Sequence, residues 1–574
     1  MFAALFLFFY GLFMKQFVSL FLVAGLLALG PARAQSWQWA VCPGGTGYTN
    51  MGRALATDAQ GNVFVAGATG GAAVFGSVVF PGPGATAFVG KLNPAGQWLW
   101  AVGMPSSGTD LEFDAAVTDA AGNLYLTGRL TSTRTFGSTT LPVLPNHGEL
   151  FVAKLNPAGQ WLWAVSSTGN PASSSTDARG LALAYNPANG DVAVAGQSVG
   201  GSISYGSTAL PSVGNADALV ARLSGSTGQW LWATAVASSR DDEVKGVAFD
   251  AVGNVLVAGY AINPIILPPL PFSGNGSRQG LVAKLSANGQ TWLWVTRFVG
   301  SFGFNNTSTA VAALPLPTGE VAVVGKFVGN CLLASTVLTS AGDQDIFVGR
   351  LDGSTGNVVA GSARRAGGPG TDDVNTALAD PRGSLLLGGR FNAPAGFGTT
   401  TYNPTSPNVG TAYVARYLVA AGTWTGVFTG GSNNDGSTQA LTADPTGTHV
   451  YAAGLVSSGT AQFGALPPFV LPTSALFVAR LGGLLATRPA ALGGQAVQLW
   501  PNPATGTCAV RVPALPGTPQ VATTLLDGLG RAVRPFTLPS GTTTALDLAG
   551  VPAGLYMLRL AAGAETTALR LAVE

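Results

Sequence analysis

The side chains best placed to do chemistry are short oxygen carriers in the loops that follow a recurring Trp-containing strand. Asp110, Asp177, Asp241, Asp242, Asn306, Asp372, Asp373 and Asp435 occur there, with Asn50 in the matching place near the start of the chain. If the repeats superpose, these residues share one face, where a ring of oxygen ligands could take Ca²⁺ or the hydroxyls of a sugar. Short Asx side chains also cap loop backbone, which is the structural reading of the same residues. No loop holds a full Asp-x-Asp-x-Asp-Gly series, and Asn433-Asn434-Asp435-Gly436 is only a fragment of one. No metal is assigned on this basis and no cofactor is expected, Ca²⁺ being the one ion such a face could hold.

Other chemistry is sparsely represented. His147 and His449 are the only histidines, they stand in different repeats, and both read as incidental surface or loop residues. No Gly-x-Ser-x-Gly elbow occurs, and the Gly-Lys pairs at Gly90-Lys91 and Gly325-Lys326 run into Leu92 and Phe327 instead of completing a phosphate loop. Cys42, Cys331 and Cys508 are odd in number and far apart, so they outline neither a disulfide framework nor a zinc site. With 28 basic and 26 acidic residues and no Lys/Arg cluster, the chain offers no phosphate-tracking surface, and nucleic acid is excluded as an expected partner.

The elements that must position these loops repeat along the chain. Asn-Pro-Ala-Gly-Gln-Trp-Leu-Trp-Ala occurs at Asn93 to Ala101 and again at Asn156 to Ala164, each time behind a short strand ending in a basic residue and Leu. That basic residue recurs at Lys91, Lys154, Arg222, Lys284, Arg350, Arg416 and Arg480. Two further strands lie in each unit, joined by Asp-x-x-Gly turns such as Asp58 to Gly61, where Asp accepts backbone bonds and Gly supplies positive φ. Four strands in a unit of roughly 65 residues, repeated seven times, predict an all-β chain and a seven-bladed β-propeller over residues 35–482. A strand period of two would send Trp98 and Trp100 to one face and Leu99 to the other. The basic residues could line a central channel or snorkel to a blade edge. A Trp strand precedes the first basic-Leu strand and none follows the last, so Trp37 to Val41 is expected to pair with Phe477 to Leu481 and close the ring.

The two ends differ from the middle. Residues 1–34 are apolar and end in Ala32-Arg33-Ala34, the pattern of a secretory signal peptide cleaved near Ala34, with either Met1 or Met14 as its start. The mature chain is then expected to carry no membrane span. After a linker at 483–496, residues 497–574 read as short alternating strands of a small β-sandwich of Ig-like type.

The repeat segments Asp-x-x-Gly-Asn, Val-x-Val-x-Gly and Phe-Val-x-Lys-Leu resemble the bacterial beta-propeller repeat (SBBP-like) of secreted and surface proteins. The C-terminal pieces Pro501-Asn502-Pro503, Leu526-Asp527-Gly528-Leu529-Gly530-Arg531 and Gly554-Leu555-Tyr556 resemble the type A sorting domain of the type IX secretion system of Bacteroidetes. That resemblance implies engagement of the type IX machinery, passage across the outer membrane, and release or anchoring at the cell surface. It marks Pro501, Asn502, Pro503, Asp527, Gly528, Gly530, Gly554 and Tyr556 as the sorting motif. The expectation is an exported, non-enzymatic binding or adhesion module whose partner is a surface glycan or protein. The alternatives are a polysaccharide hydrolase or lyase using channel carboxylates, and a structural surface-layer component.

Overall fold

The computed structural model describes residues 35–43, 50–80, 84–106, 110–236, 238–262, 265–267, 270–272, 277–299, 306–380, 383–482, 491–492, 495–527, 531–563 and 565–573. The segment 1–34 expected to be a signal peptide, most of the expected linker at 483–496, and Gly528 and Gly530 lie outside these residues. Among the described residues all repetitive structure is β, as the scarcity of helix-forming stretches predicts. The chain divides into two compact units, Met1–Leu484 and Leu485–Glu574.

The larger unit contains six antiparallel four-stranded sheets, and a six-stranded sheet whose first four strands follow the same plan. In the first, Met51–Thr57, Val63–Gly70, Ala85–Leu92 and Trp98–Ser106 pair in chain order. The last is made of Gly436–Ala443, Val450–Val456, Ala475–Gly482 and the N-terminal strand Ser36–Val41. Trp37 lies opposite Leu481 and Val41 opposite Val478, the pairing expected from the order of the markers. The inner strand Met51–Thr57 packs between Leu111–Thr118 of the next sheet and Gly436–Ala443 of the last.

The tryptophans do not follow the period of two. A β-bulge at the basic-Leu pair sets Leu92 opposite Trp98 and Lys91 opposite Trp100, and the same slip occurs in the second, third and fourth sheets. The extra residue turns the two indoles into different cores. Trp98 packs on Phe75 at a ring distance of 4.8 Å, within the cluster shared with the last sheet. Trp100 packs on Phe64 in the cluster shared with the second sheet. Leu99, which alternation would bury, is 52% exposed, and Leu162, Leu231 and Leu293 are exposed in the same way.

The second indole is a clasp to the next repeat. Trp100 Nε1 donates to the Pro157 carbonyl at 3.1 Å, Trp232 to Ala287 at 3.3 Å, Trp294 to Gly353 at 3.2 Å, and Trp39 to Pro94 at 3.0 Å. The recurring basic residue is absent from the lining of the central cavity and reaches instead to neighbouring turns. Lys91 is 6% exposed, pairs with Asp58 of its own turn at 2.9 Å, and donates to the Pro157 carbonyl at 3.4 Å. Lys284 repeats this with Asp250 and Gly353, and Arg480 donates to Pro94 O. The fifth repeat has lost its Trp strand, and Arg364 Nε substitutes by donating to the Gly422 carbonyl.

In the C-terminal unit the strand order is Ala532–Pro539, Gln520–Leu526, Gly554–Ala562, Glu565–Val573, Gln498–Thr505, Thr507–Arg511, Thr543–Asp547. Gln498–Thr505 joins the two halves, pairing antiparallel with Thr507–Arg511 and in parallel through Ala504 and Val573. Val510, Leu525, Leu546, Leu558 and Leu560 fill its core.

Candidate functional site

Every inner strand of the large unit carries a β-bulge at the same place, and the bulged residues are Arg53, Asp114, Leu181, Lys245, Val311, Asn375 and Gln439. A bulge leaves its residue unpaired and re-aims the side chain. These seven residues, with the two that follow each, line one central cavity of about 210 Å³. The next position around it is Ala54, Ala115, Ala182, Gly246, Ala312, Thr376 and Ala440, small side chains that leave the space open.

Charge concentrates on one side of this cavity. Arg179 donates Nε to Asp114 Oδ2 at 2.8 Å and Nη2 to Asp114 Oδ1 at 2.6 Å, and Nη2 also lies 2.7 Å from Glu112 Oε2. Arg53 adds contacts of 3.1 Å to Asp114 and 3.6 Å to Glu112. Lys245 pairs with Glu243 at 3.0 Å. Opposite them, Asn375 donates to Ser437 Oγ and to the Thr438 carbonyl. Glu112 and Asp114 are the carboxylates brought together here. The guanidinium groups bond both oxygens of Asp114, while Glu112 Oε2 is held as an ion pair without a hydrogen bond. None of these groups stood out in the sequence, because only the shared bulge reveals that they face one another.

The loop candidates fall at different registers. Counted back from the residue before each bulge's slip, Asp110, Asp177, Asp241 and Asp435 stand three places ahead, Asp242 and Asp372 two, Asp373 one, and Asn306 four. Four of the eight therefore share one register and the other four do not. Asp110 pairs with Arg134 and accepts from Ser132 Oγ. Asp177 receives both Arg129 Nε and Nη2 at 2.7 Å, and Asp435 lies 3.8 Å from Arg390. Asp373 pairs with Lys326 at 2.6 Å, and Asn306 Oδ1 accepts the Asn330 N–H. Asp241 forms a backbone bridge to Ala216.

Asp242 and Asp372 are fully buried. Asp242 accepts from the Ser238 amide and hydroxyl and from the Ile262 N–H, and Asp372 accepts from the Gly368 N–H at 2.7 Å. Burial pushes both carboxyls up to about 7, against the pull of these donors, with Asp217 beside the first and Asp345 beside the second adding to the rise. Asp217 and Asp345 occupy equivalent third-strand positions. Their segments Ser212-Val213-Gly214-Asn215-Ala216-Asp217 and Ser340-Ala341-Gly342-Asp343-Gln344-Asp345 are the sequence signal that could have found them. Among the described residues no three His, Cys, Asp or Glu side chains are grouped to hold a metal ion.

Both histidines stand in loops, as expected, and each has a side-chain partner. His147 is buried and shares a 2.6 Å bond with Thr176 Oγ1, and His449 Nδ1 meets Asp444 Oδ2 at 2.8 Å inside an Asp turn. In the C-terminal unit Asp527 accepts from Arg531 N and Nε, and Tyr556 donates its hydroxyl to the Pro552 carbonyl at 2.8 Å. Pro501, Asn502 and Pro503 lie within Gln498–Thr505, and Gly554 opens Gly554–Ala562.

No curated protein matches the chain in sequence. Among solved structures, a protein of unknown function from Dyadobacter fermentans is 11% identical with a TM-score of 0.38, over 78% of this chain and 99% of its own. The quinohemoprotein alcohol dehydrogenase of Comamonas testosteroni is 10% identical with a TM-score of 0.35, covering 82% and 79%. The Penicillium chrysogenum alpha-L-arabinanase complexed with arabinobiose is 11% identical with a TM-score of 0.34, covering 64% and 92%. At these scores the three likenesses assign no activity. Residues 498–574 match the family model described as "Secretion system C-terminal sorting domain". The chain therefore ends in a type IX secretion sorting domain, which indicates a secreted or cell-surface protein.

Proposed function

We propose that the large unit is a closed seven-bladed β-propeller of the SBBP-like repeat kind, exported behind a signal peptide at 1–34, and that it acts as a non-enzymatic binding or adhesion module. The observation that carries the reading is the state of the central carboxylates: both oxygens of Asp114 are bonded by Arg53 and Arg179, and Glu112 is ion-paired to the same two arginines, an arrangement that ties the two carboxylates to fixed cations. Closure is supported by the Trp39 and Arg480 bonds to Pro94 O, which match the bonds joining successive sheets elsewhere. The small C-terminal unit is a β-sandwich that addresses the protein to the type IX machinery. The polar loops that carry Asp110, Asp177, Asp241, Asn306, Asp373 and Asp435, braced by the buried Asp242 and Asp372, are the contact face of this reading for a surface glycan or protein.

The test is a screen of residues 35–482 against glycans and polysaccharides with and without Ca²⁺, run beside hydrolysis and lyase assays on the same polymers. Retained binding without chain cleavage is the expected result. Product release abolished by Asp114→Asn would replace this reading with the enzymatic one. Deletion of residues 495–574 should stop surface delivery.

A further inference from the structure

Two junctions between neighbouring sheets, far apart in the chain, share one construction that no other junction shows among the described residues. Pro145-Asn146-His147-Gly148 and Pro407-Asn408-Val409-Gly410 are the two Pro-Asn-x-Gly segments of the sequence. Each makes a turn closed by an i to i+3 bond, His147 N to Leu144 O and Val409 N to Ser406 O. Asn146 and Asn408 take left-handed φ values of 65° and 59°, the third position of a type II turn with Pro before it. The Gly that follows lets the next sheet's carboxylate lie against the backbone: a Cβ at Gly148 would overlap Asp177 Oδ1, and one at Gly410 would overlap Asp435 Oδ1. That carboxylate pairs with an arginine from the penultimate position of the preceding sheet's second strand, Arg129 or Arg390.

Both junctions open into a cleft. One is about 520 Å³ and lined by Arg129, Thr131, Asn146, Thr176 and Asp177 among others, and its counterpart is about 330 Å³ and lined by Arg390, Asn392, Asn408, Asn434 and Asp435 among others. Small-ligand sites span about 300–1,000 Å³. Within each lining one arginine is balanced by one aspartate, and the further ionisable group, His147 of the first cleft, is bonded to Thr176 Oγ1, so neither cleft favours an anion or a cation. What remains is a dense set of amides, hydroxyls and a guanidinium–carboxylate pair, donors and acceptors side by side. A ligand whose every polar group both donates and accepts satisfies such a lining, and that describes vicinal hydroxyls.

We infer that these clefts are twin subsites for a neutral carbohydrate, so that one chain grips a polymer at two places. The inference rests on the binding reading above and gives it a ligand class and a location. Two linked sites raise the avidity for a polymer by about 10²–10⁴ over either site alone when the spacing fits.

The test uses the full chain with cello-, manno- and xylo-oligosaccharides and their polymers as probes, read by calorimetry. Ser175→Trp and Asn434→Trp place an indole at the exposed rim of one cleft each, with melting curves to establish that both variants fold. The expected result is two sites per chain for an oligosaccharide from this panel, one in each single variant and none in the double, with polymer affinity falling at least tenfold in either single variant. Unchanged stoichiometry in the folded double variant overturns the twin subsites. So does failure of the whole panel when a protein or an acidic polymer binds, an outcome that leaves the binding reading standing. Failure of every ligand class sinks both.

Discussion

Trp39 Nε1 donates to the Pro94 carbonyl at 3.0 Å, across 55 residues of sequence, and so fastens the N-terminal strand of the last sheet to a turn of the first. The equivalent indole of the second sheet, Trp163, lies against Gly228 but its buried N–H has no acceptor. There the Gly225 carbonyl is taken by Lys154 Nζ and the Tyr125 hydroxyl.

This contrast gives a first prediction. Replacing indole by phenyl removes the same N–H in both places, but only Trp39→Phe loses a bond. Trp39→Phe should cost about 1 kcal/mol more than Trp163→Phe in urea unfolding. Equal losses would mean that area, not the bond, sets the clasp.

A second pair of variants separates contact from backbone strain. Gly96 and Gly319 occupy the same kind of turn with φ of 82° and 84°. A Cβ on Gly96 would press on the Trp39 indole at 2.8 Å, whereas nothing lies within 4 Å of one on Gly319. Gly319→Ala should therefore cost only the left-handed penalty, about 1 kcal/mol. Gly96→Ala should cost that and a further 1 to 3 kcal/mol of overpacking, since the indole must move or give up its bond. Comparable melting of the two variants would show that the first turn has room to yield.

How much of this was legible beforehand depends on distance along the chain. The strands, the Asp turns and the pairing of Trp37 with Leu481 follow from local patterns and from counting markers. The direction of Trp100 does not, because a single extra residue opposite Leu92 reverses the alternation that the sequence suggests. The central charges were hidden for a related reason: Arg53, Asp114 and Lys245 carry no shared motif and become neighbours only because each sits on a bulge. The loop aspartates were visible individually, but their one- to three-residue offsets scatter them among caps and ion pairs. Arg364 shows the converse, a task that recurs from repeat to repeat performed by an unrelated side chain.

The central network supplies a third prediction. Arg179 binds Glu112 and Asp114 together and its side chain is 26% exposed. Arg179→Met leaves both carboxylates to Arg53, and should lower stability by about 1 to 3 kcal/mol, less than the loss for a fully buried pair. Adding Asp114→Asn to that variant should recover part of the loss, because one unbalanced charge is removed. A double variant as unstable as the sum of the two singles would mean that the network has no coupling.

The last prediction concerns pH, and its sign follows from the buried loop acids. Asp242 and Asp372 titrate near 7 in the folded chain against an ordinary 3.8, chiefly because burial disfavours their charge. Between those values the folded protein holds protons that the unfolded chain has released, so stability is greatest below about pH 4 for these groups and is lost as pH rises through 7. Asp58, Asp119 and Asp250 act oppositely. Burial raises them, but bonds from Asn62 and Lys91, and from their counterparts, hold them below the usual range, so their contribution disappears as pH falls under 3.8. The two trends place the stability maximum near pH 4 to 5, with a decline of roughly 2 to 4 kcal/mol by pH 8 in urea melts. Asp372→Asn should flatten that decline, and it should raise stability at pH 8. Asp345 Oδ1 is buried beside it without a partner, facing the same point at Gly367, and the new amide supplies the missing donor. A slope unchanged in both Asp242→Asn and Asp372→Asn would place the titration elsewhere.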